Sequence, residues 1–135
     1  MRANPVGDLV SAIERATVLR TDVFAEDARL DATVPNWRFP LQGAGAIRQK
    51  LAEWYRHTGR FEELRRTPLP HGELVEYTLS WEENGVPHAC HQVHVFEVSD
   101  GRITVDKVWC GGRWPASRLA EMEESAREAG IDARG

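Results

Sequence analysis

The chain reads as an α+β protein: a strongly curved, mostly antiparallel sheet wrapped around a long helix in a cone-shaped fold. Three observations predict this. Alternating segments in the second half are punctuated by Asn84-Gly85 and Ser99-Asp100-Gly101, so consecutive strands join through short hairpins. A helical repeat of Ile47, Leu51 and Trp54 precedes them, and a lone alternating strand precedes that helix. With 135 residues and 41% hydrophobic content, residues 1–135 make one domain, its fold core at about 8–112, with enough apolar material to bury.

From Val6 to Leu19, apolar Leu9, Ile13 and Ala16 recur at helical spacing, and Thr21-Asp22 is suited to capping a second short helix through Val23, Phe24 and Ala25. Residues Ala28 to Val34 alternate with period two, turning Ala28, Leu30, Ala32 and Val34 inward, before Pro35-Asn36 ends the strand. A loop through Trp37, Phe39 and Pro40 leads to Gly43-Ala44-Gly45, where the long helix begins, ending near His57-Thr58-Gly59. Strands follow at about 60–68, 73–83, 87–98 and 102–110. Past Gly111-Gly112, a last helix spans about 116–129, with Leu119 and Met122 on one side and Gly130 at its end.

The turns set the register. Asn-Gly favours a two-residue type I′ hairpin, pairing Glu83 with Val86 and, further on, Tyr77 with Gln92. Ser-Asp-Gly reads as a three-residue loop pairing Val98 with Arg102, which sets His94 opposite Asp106 and Cys90 opposite Cys110. One face then carries Val75, Tyr77, Leu79, Trp81, Cys90, Gln92, His94, Asp106 and Val108. The other carries Val93, Val95, Ile103, Val105, Lys107 and Trp109.

Composition excludes several roles. A net charge of −4 with interleaved signs gives no basic stripe for nucleic acid. No apolar run is long enough to span a bilayer and the first residues lack a signal-peptide core, so a cytoplasmic protein is expected. His88-x-x-His91-x-x-His94 does not read as a metal site, because strand alternation sends His91 to the opposite face. Gly43-Ala44-Gly45 lacks the lysine and hydroxyl residue of a phosphate loop. The two cysteines read as small buried hydrophobes.

Phe24-Ala25-Glu26-Asp27-Ala28, the helix start from Gly43 to Leu51, and the run from His94 to Ile103 resemble the nuclear transport factor 2-like superfamily, in particular its SnoaL-like polyketide cyclase and ketosteroid isomerase branch. The resemblance implies a cone whose concave face holds a ligand and whose convex sheet face builds a dimer. Ala32 stands where ketosteroid isomerases place their proton-shuttling aspartate, and His94 where they place an oxyanion-hole aspartate, so steroid isomerisation is not implied. Leu30, Ala32, Val75, Tyr77 and Val108 occupy the positions of the arginine and paired aspartates of limonene epoxide hydrolases, and that mechanism is likewise not implied. SnoaL-like cyclases use a pocket histidine and aspartate from the last two strands, which His94 and Asp106 match.

A cross-strand imidazole and carboxylate make a base with its orienter. The sequence therefore points to a cofactor-independent enzyme, a cyclase, isomerase or dehydratase, that moves a proton beside a carbonyl of an apolar cyclic or polyketide-like substrate. His94 is the expected base and Asp106 its orienter. Tyr77, with Gln92, is the expected oxyanion donor. Trp81, Leu30, Ala32, Val75, Val108, Cys90 and Trp54 are expected to line the pocket with Gln92. A homodimer is expected through Val93, Val95, Val105 and Trp109. The alternatives are a non-catalytic small-molecule carrier and a protein-interaction module built on that outer face.

Overall fold

The computed structural model describes residues 4–131. Helix α1 (Pro5–Arg15) starts at Asn4, whose side chain accepts from the Gly7 amide, with Pro5 pre-setting the first turn, and stops where Ala16 turns left-handed. Its buried stripe of Val6, Leu9, Val10 and Ile13 packs toward the sheet. The expected second helix is absent. Val23 and Phe24 are instead buried where the chain extends into strand β1 (Phe24–Val34), and Phe24 pairs with Ile103. Long-range pairing has overridden a weak local helix signal.

Residues Trp37–Gln42, expected as a loop, form strand β2, folded back on β1 through Pro35 and a left-handed Asn36. Pro40 is tolerated because β2 is a sheet edge. Helix α2 (Ala44–Trp54) ends at Tyr55, earlier than expected, and turns Ile47, Leu51 and Tyr55 onto the sheet. The meander β3 (Gly59–Leu69), β4 (Gly72–Glu83), β5 (Val86–Ser99) and β6 (Arg102–Cys110) follows. A short β7 (Trp114–Pro115), not foreseen, pairs with β5, and α3 (Ala116–Glu128) packs against β5 and β7. The sheet order is β2-β1-β6-β5-β4-β3, antiparallel except for β1 beside β6. Among the described residues, no helix is long and apolar enough to cross a membrane.

The first hairpin has the expected register, Glu83 with Val86 and Tyr77 with Gln92. The second does not. Asp100 and Gly101 both take positive φ, 52° and 74°, and form a two-residue turn that pairs Ser99 with Arg102. A bulge between Ile103 and Val105 then adds a second one-residue shift. The first shift turns Ile103, expected on the outer face, into the core at 0% exposure. The second restores the inward direction of Asp106 but leaves it opposite Phe96 rather than His94. By the same displacement Cys110 faces Gln92, so Cys90 and Cys110 are diagonal neighbours, and both are free thiols.

Candidate active site

A chain of buried hydrogen bonds runs across the concave face from β6 to α2. Asp106 Oδ1 lies 2.8 Å from His94 Nδ1, and His94 Nε2 lies 2.9 Å from the Tyr77 hydroxyl. The Tyr77 and Tyr55 hydroxyls are 2.8 Å apart, and both donate to Gln92 Oε1. Asp106 reaches His94 diagonally between strands, a span that long and aromatic side chains cover. The Tyr77 and Phe96 rings stack on His94, with centroids at 5.6 and 5.1 Å. Both members of the His94–Asp106 pair are 0% exposed, and Asp106 Oδ2 has no hydrogen-bond partner among the described residues.

Burial above all pushes both phenols well above the ordinary tyrosine range. The neighbouring Tyr55 raises Tyr77 further, while the bond from Tyr77 partly offsets the rise at Tyr55. Both hydroxyls therefore stay protonated, and donate, at neutral pH. With His94 Nδ1–H donating to Asp106 Oδ1, Nε2 is an acceptor that competes with Gln92 Oε1 for the one Tyr77 proton. Gln92 spends its side-chain oxygen on the two tyrosines, which leaves its NH2 as a donor for something else.

A cavity of about 380 Å³ adjoins this chain. Its floor is Tyr55, Gln92, Leu79 and Cys90, all buried, and its walls include Trp54, Trp81 and Cys110. Arg56, His57 and Arg113 form the more exposed rim. Glu83 organises this rim: its carboxylate pairs with Arg113, accepts from Trp81 Nε1 at 3.0 Å and lies 3.4 Å from His57 Nε2. Cys90 is held protonated, its thiol pushed up to about 12 by burial and then by Cys110.

Of the residues expected at the pocket, Gln92, Trp81, Cys90 and Trp54 border the cavity. Tyr77, His94 and Asp106 are joined to one another but stand behind Tyr55 and Gln92, outside the lining. Leu30, Ala32, Val75 and Val108 are also outside it. They are fully buried core, because Leu30 and Phe96 flank Asp106 while Ala32 and His94 flank Val108, and these side chains occupy the space a deeper pocket needs. Tyr55, Arg56, His57 and Arg113 are the site residues to which sequence reasoning assigned no role. Their signal was positional: the α2 end and the segment after β6 close the same end of the sheet.

No family model and no curated protein sequence matches the chain. Solved structures do. A candidate isomerase from Bacillus subtilis superposes with a TM-score of 0.64 at 15% identity, over 79% of this chain and 84% of that one. A candidate polyketide cyclase from Xanthomonas campestris gives 0.61 at 18% identity, over 78% and 86%. An LEH-like epoxide hydrolase from M. tuberculosis gives 0.58 at 20% identity, over 80% of each chain. Others bear the NTF2-like name outright, including one from Burkholderia xenovorans with a TM-score of 0.59. Identities of this size establish the fold alone, and the fold of this chain is nuclear transport factor 2-like.

Proposed function

We propose that the protein binds a small apolar carbonyl compound in this cavity and transfers a proton at the carbon next to the carbonyl, the step common to cyclisation, isomerisation and dehydration. The observation that carries this reading is the hydrogen-bonded chain Asp106–His94–Tyr77–Tyr55/Gln92, which ends on the cavity floor. In it, the carbonyl oxygen accepts from the Gln92 NH2, while Tyr55, whose one proton goes to Gln92 Oε1, orients that amide. As the proton leaves carbon, charge grows on that oxygen, where donors held in advance stabilise it most. Tyr77, His94 and Asp106 hold that amide from behind, so His94 acts through Tyr77 and does not touch the ligand. His57, placed on the rim and 3.4 Å from Glu83, is the imidazole positioned to accept the carbon-bound proton. The isomerase and cyclase named among the structural neighbours support a small-molecule role at the level of the fold.

The test needs no prior substrate. Cyclic and aryl ketones incubated with the protein in D2O are to gain deuterium at the α carbon, read by mass spectrometry, and Gln92→Leu is to slow the exchange by about 100-fold or more. Ligands that bind without exchanging deuterium would establish the carrier reading instead, which the complete burial of His94 and Asp106 also favours. The protein is further proposed to pair as a homodimer through the outer face, where Trp109 is 45% exposed and lies opposite Val93.

A further inference from the structure

We propose that the cavity selects a carboxylate: its ligand is a one- or two-ring apolar acid whose carboxylate lies between Arg56 and Arg113 while its rings lie among the tryptophans. This deepens the reading above and rests on it. An oxygen at the far end of the same molecule then meets the Gln92 NH2, which makes the substrate class an oxo acid.

Charge distribution leads to this. The protein carries a net charge of −4, yet no aspartate or glutamate lines the cavity, and two guanidiniums stand at its rim. Arg113 is paired with Glu83 and lies over the Trp81 ring at 5.3 Å. Arg56 has no carboxylate within ion-pair distance among the described residues, and its Nη1 donates to the Glu53 carbonyl at 3.0 Å. Two guanidiniums against one carboxylate leave one positive charge uncompensated at the mouth of an apolar hollow. The two also sense each other: Arg113 is lowered by burial first and by the like charge of Arg56 second. An anion between them relieves that repulsion, and the planar forks of arginine match a carboxylate with paired hydrogen bonds.

Size sets the rest of the class. At about 380 Å³ the cavity sits near the lower end of the range for small-molecule sites, roughly 300–1,000 Å³. Trp54, Trp81 and Leu79 give it flat apolar walls, suited to rings.

The experiment compares two probes of equal shape, 2-naphthoate and neutral 2-naphthamide, titrated by quenching of tryptophan fluorescence. Naphthoate is to bind about tenfold tighter or more, the advantage of charge-assisted bonds, and to lose that advantage in Arg56→Gln with Arg113→Gln while naphthamide affinity stays unchanged. Arg56→Lys, which keeps the charge, is to retain part of the preference. Equal affinity of the two probes in the wild type, or a preference that survives the double variant, overturns carboxylate selection and leaves the cavity reading in place. Failure of both probes to bind overturns the two readings together. Thermal melting of each variant confirms that these exposed substitutions leave the fold intact.

Discussion

His94 meets a carboxylate at one nitrogen, a phenol at the other and two near-parallel aromatic rings, Tyr77 and Phe96, so hydrogen bonds and packing together fix the plane of its ring. Asp106→Ala strips the partner from a buried imidazole and is to cost about 3–5 kcal/mol in urea unfolding. The double variant His94→Leu with Asp106→Leu removes both polar groups and is to cost less than the sum of the single changes; additive losses would show that the pair is not energetically coupled. The phenols and Cys90 make a separate prediction about pH. Cys90, pushed from 9.0 to about 12, and both tyrosines, raised above 10.0, hold their protons in the folded protein after the unfolded chain has lost them. The folded state then binds more protons, so stability is to fall as pH rises above about 9, by roughly 1.4 kcal/mol per pH unit for each such group, and these groups add no slope below. Tyr55→Phe is to flatten the slope above pH 10, and a stability that stays level to pH 11 would rule the effect out.

Strand pairing shows what the chain disclosed and what it hid. Asn84-Gly85 sets its register from local backbone geometry alone, so Tyr77 opposite Gln92 was legible. Asp100-Gly101 carries the same I′ signal, but the serine before it invites a longer loop, and the bulge at Thr104 has no local signature. That bulge answers to tertiary demand: Thr104 Oγ1 donates to the Glu97 carbonyl while Ile103 swings into the core. Two unforeseen shifts of one residue kept Asp106 on the inner face, which is why the contact with His94 was readable although its strand partner was not. The start of β1 escaped notice because Phe24 pairs with Ile103, far away in sequence, and β2 because Pro35 and Pro40 read as strand breakers although its hairpin with β1 is local. A tighter constraint sits at the β3–β4 turn. A Cβ on Gly72 would stand 1.8 Å from the Phe96 carbonyl oxygen, so Gly72→Ala must push β4 away from β5 and is to destabilise by about 1–3 kcal/mol, read as a lower urea midpoint at unchanged slope.

At the scale of the whole molecule, the sheet has two sides with different fates. The inner side is closed by α1 and α2 around the polar chain and cavity, whereas the outer side is only partly covered, by α3 over β5 and β7. Beyond α3 the outer strip keeps Val93, Val95 and Val105 half-buried and leaves Trp109 45% exposed, with charged Lys107 and Glu97 alongside. An apolar strip with a charged border is the composition of an interface core with its rim. The proposed pairing of two copies through this face gives a definite solution property: light scattering after size exclusion is to report twice the 15.2 kDa chain mass. Trp109→Glu sets two like charges at the centre of a face that meets its own copy, because a two-fold contact brings each patch against itself. That variant is to elute at the single-chain mass with its circular dichroism spectrum unchanged, since Trp109 contributes little to the core it turns away from. A wild type that stays at 15.2 kDa at high micromolar concentration removes the dimer, and the outer strip then belongs to a different partner.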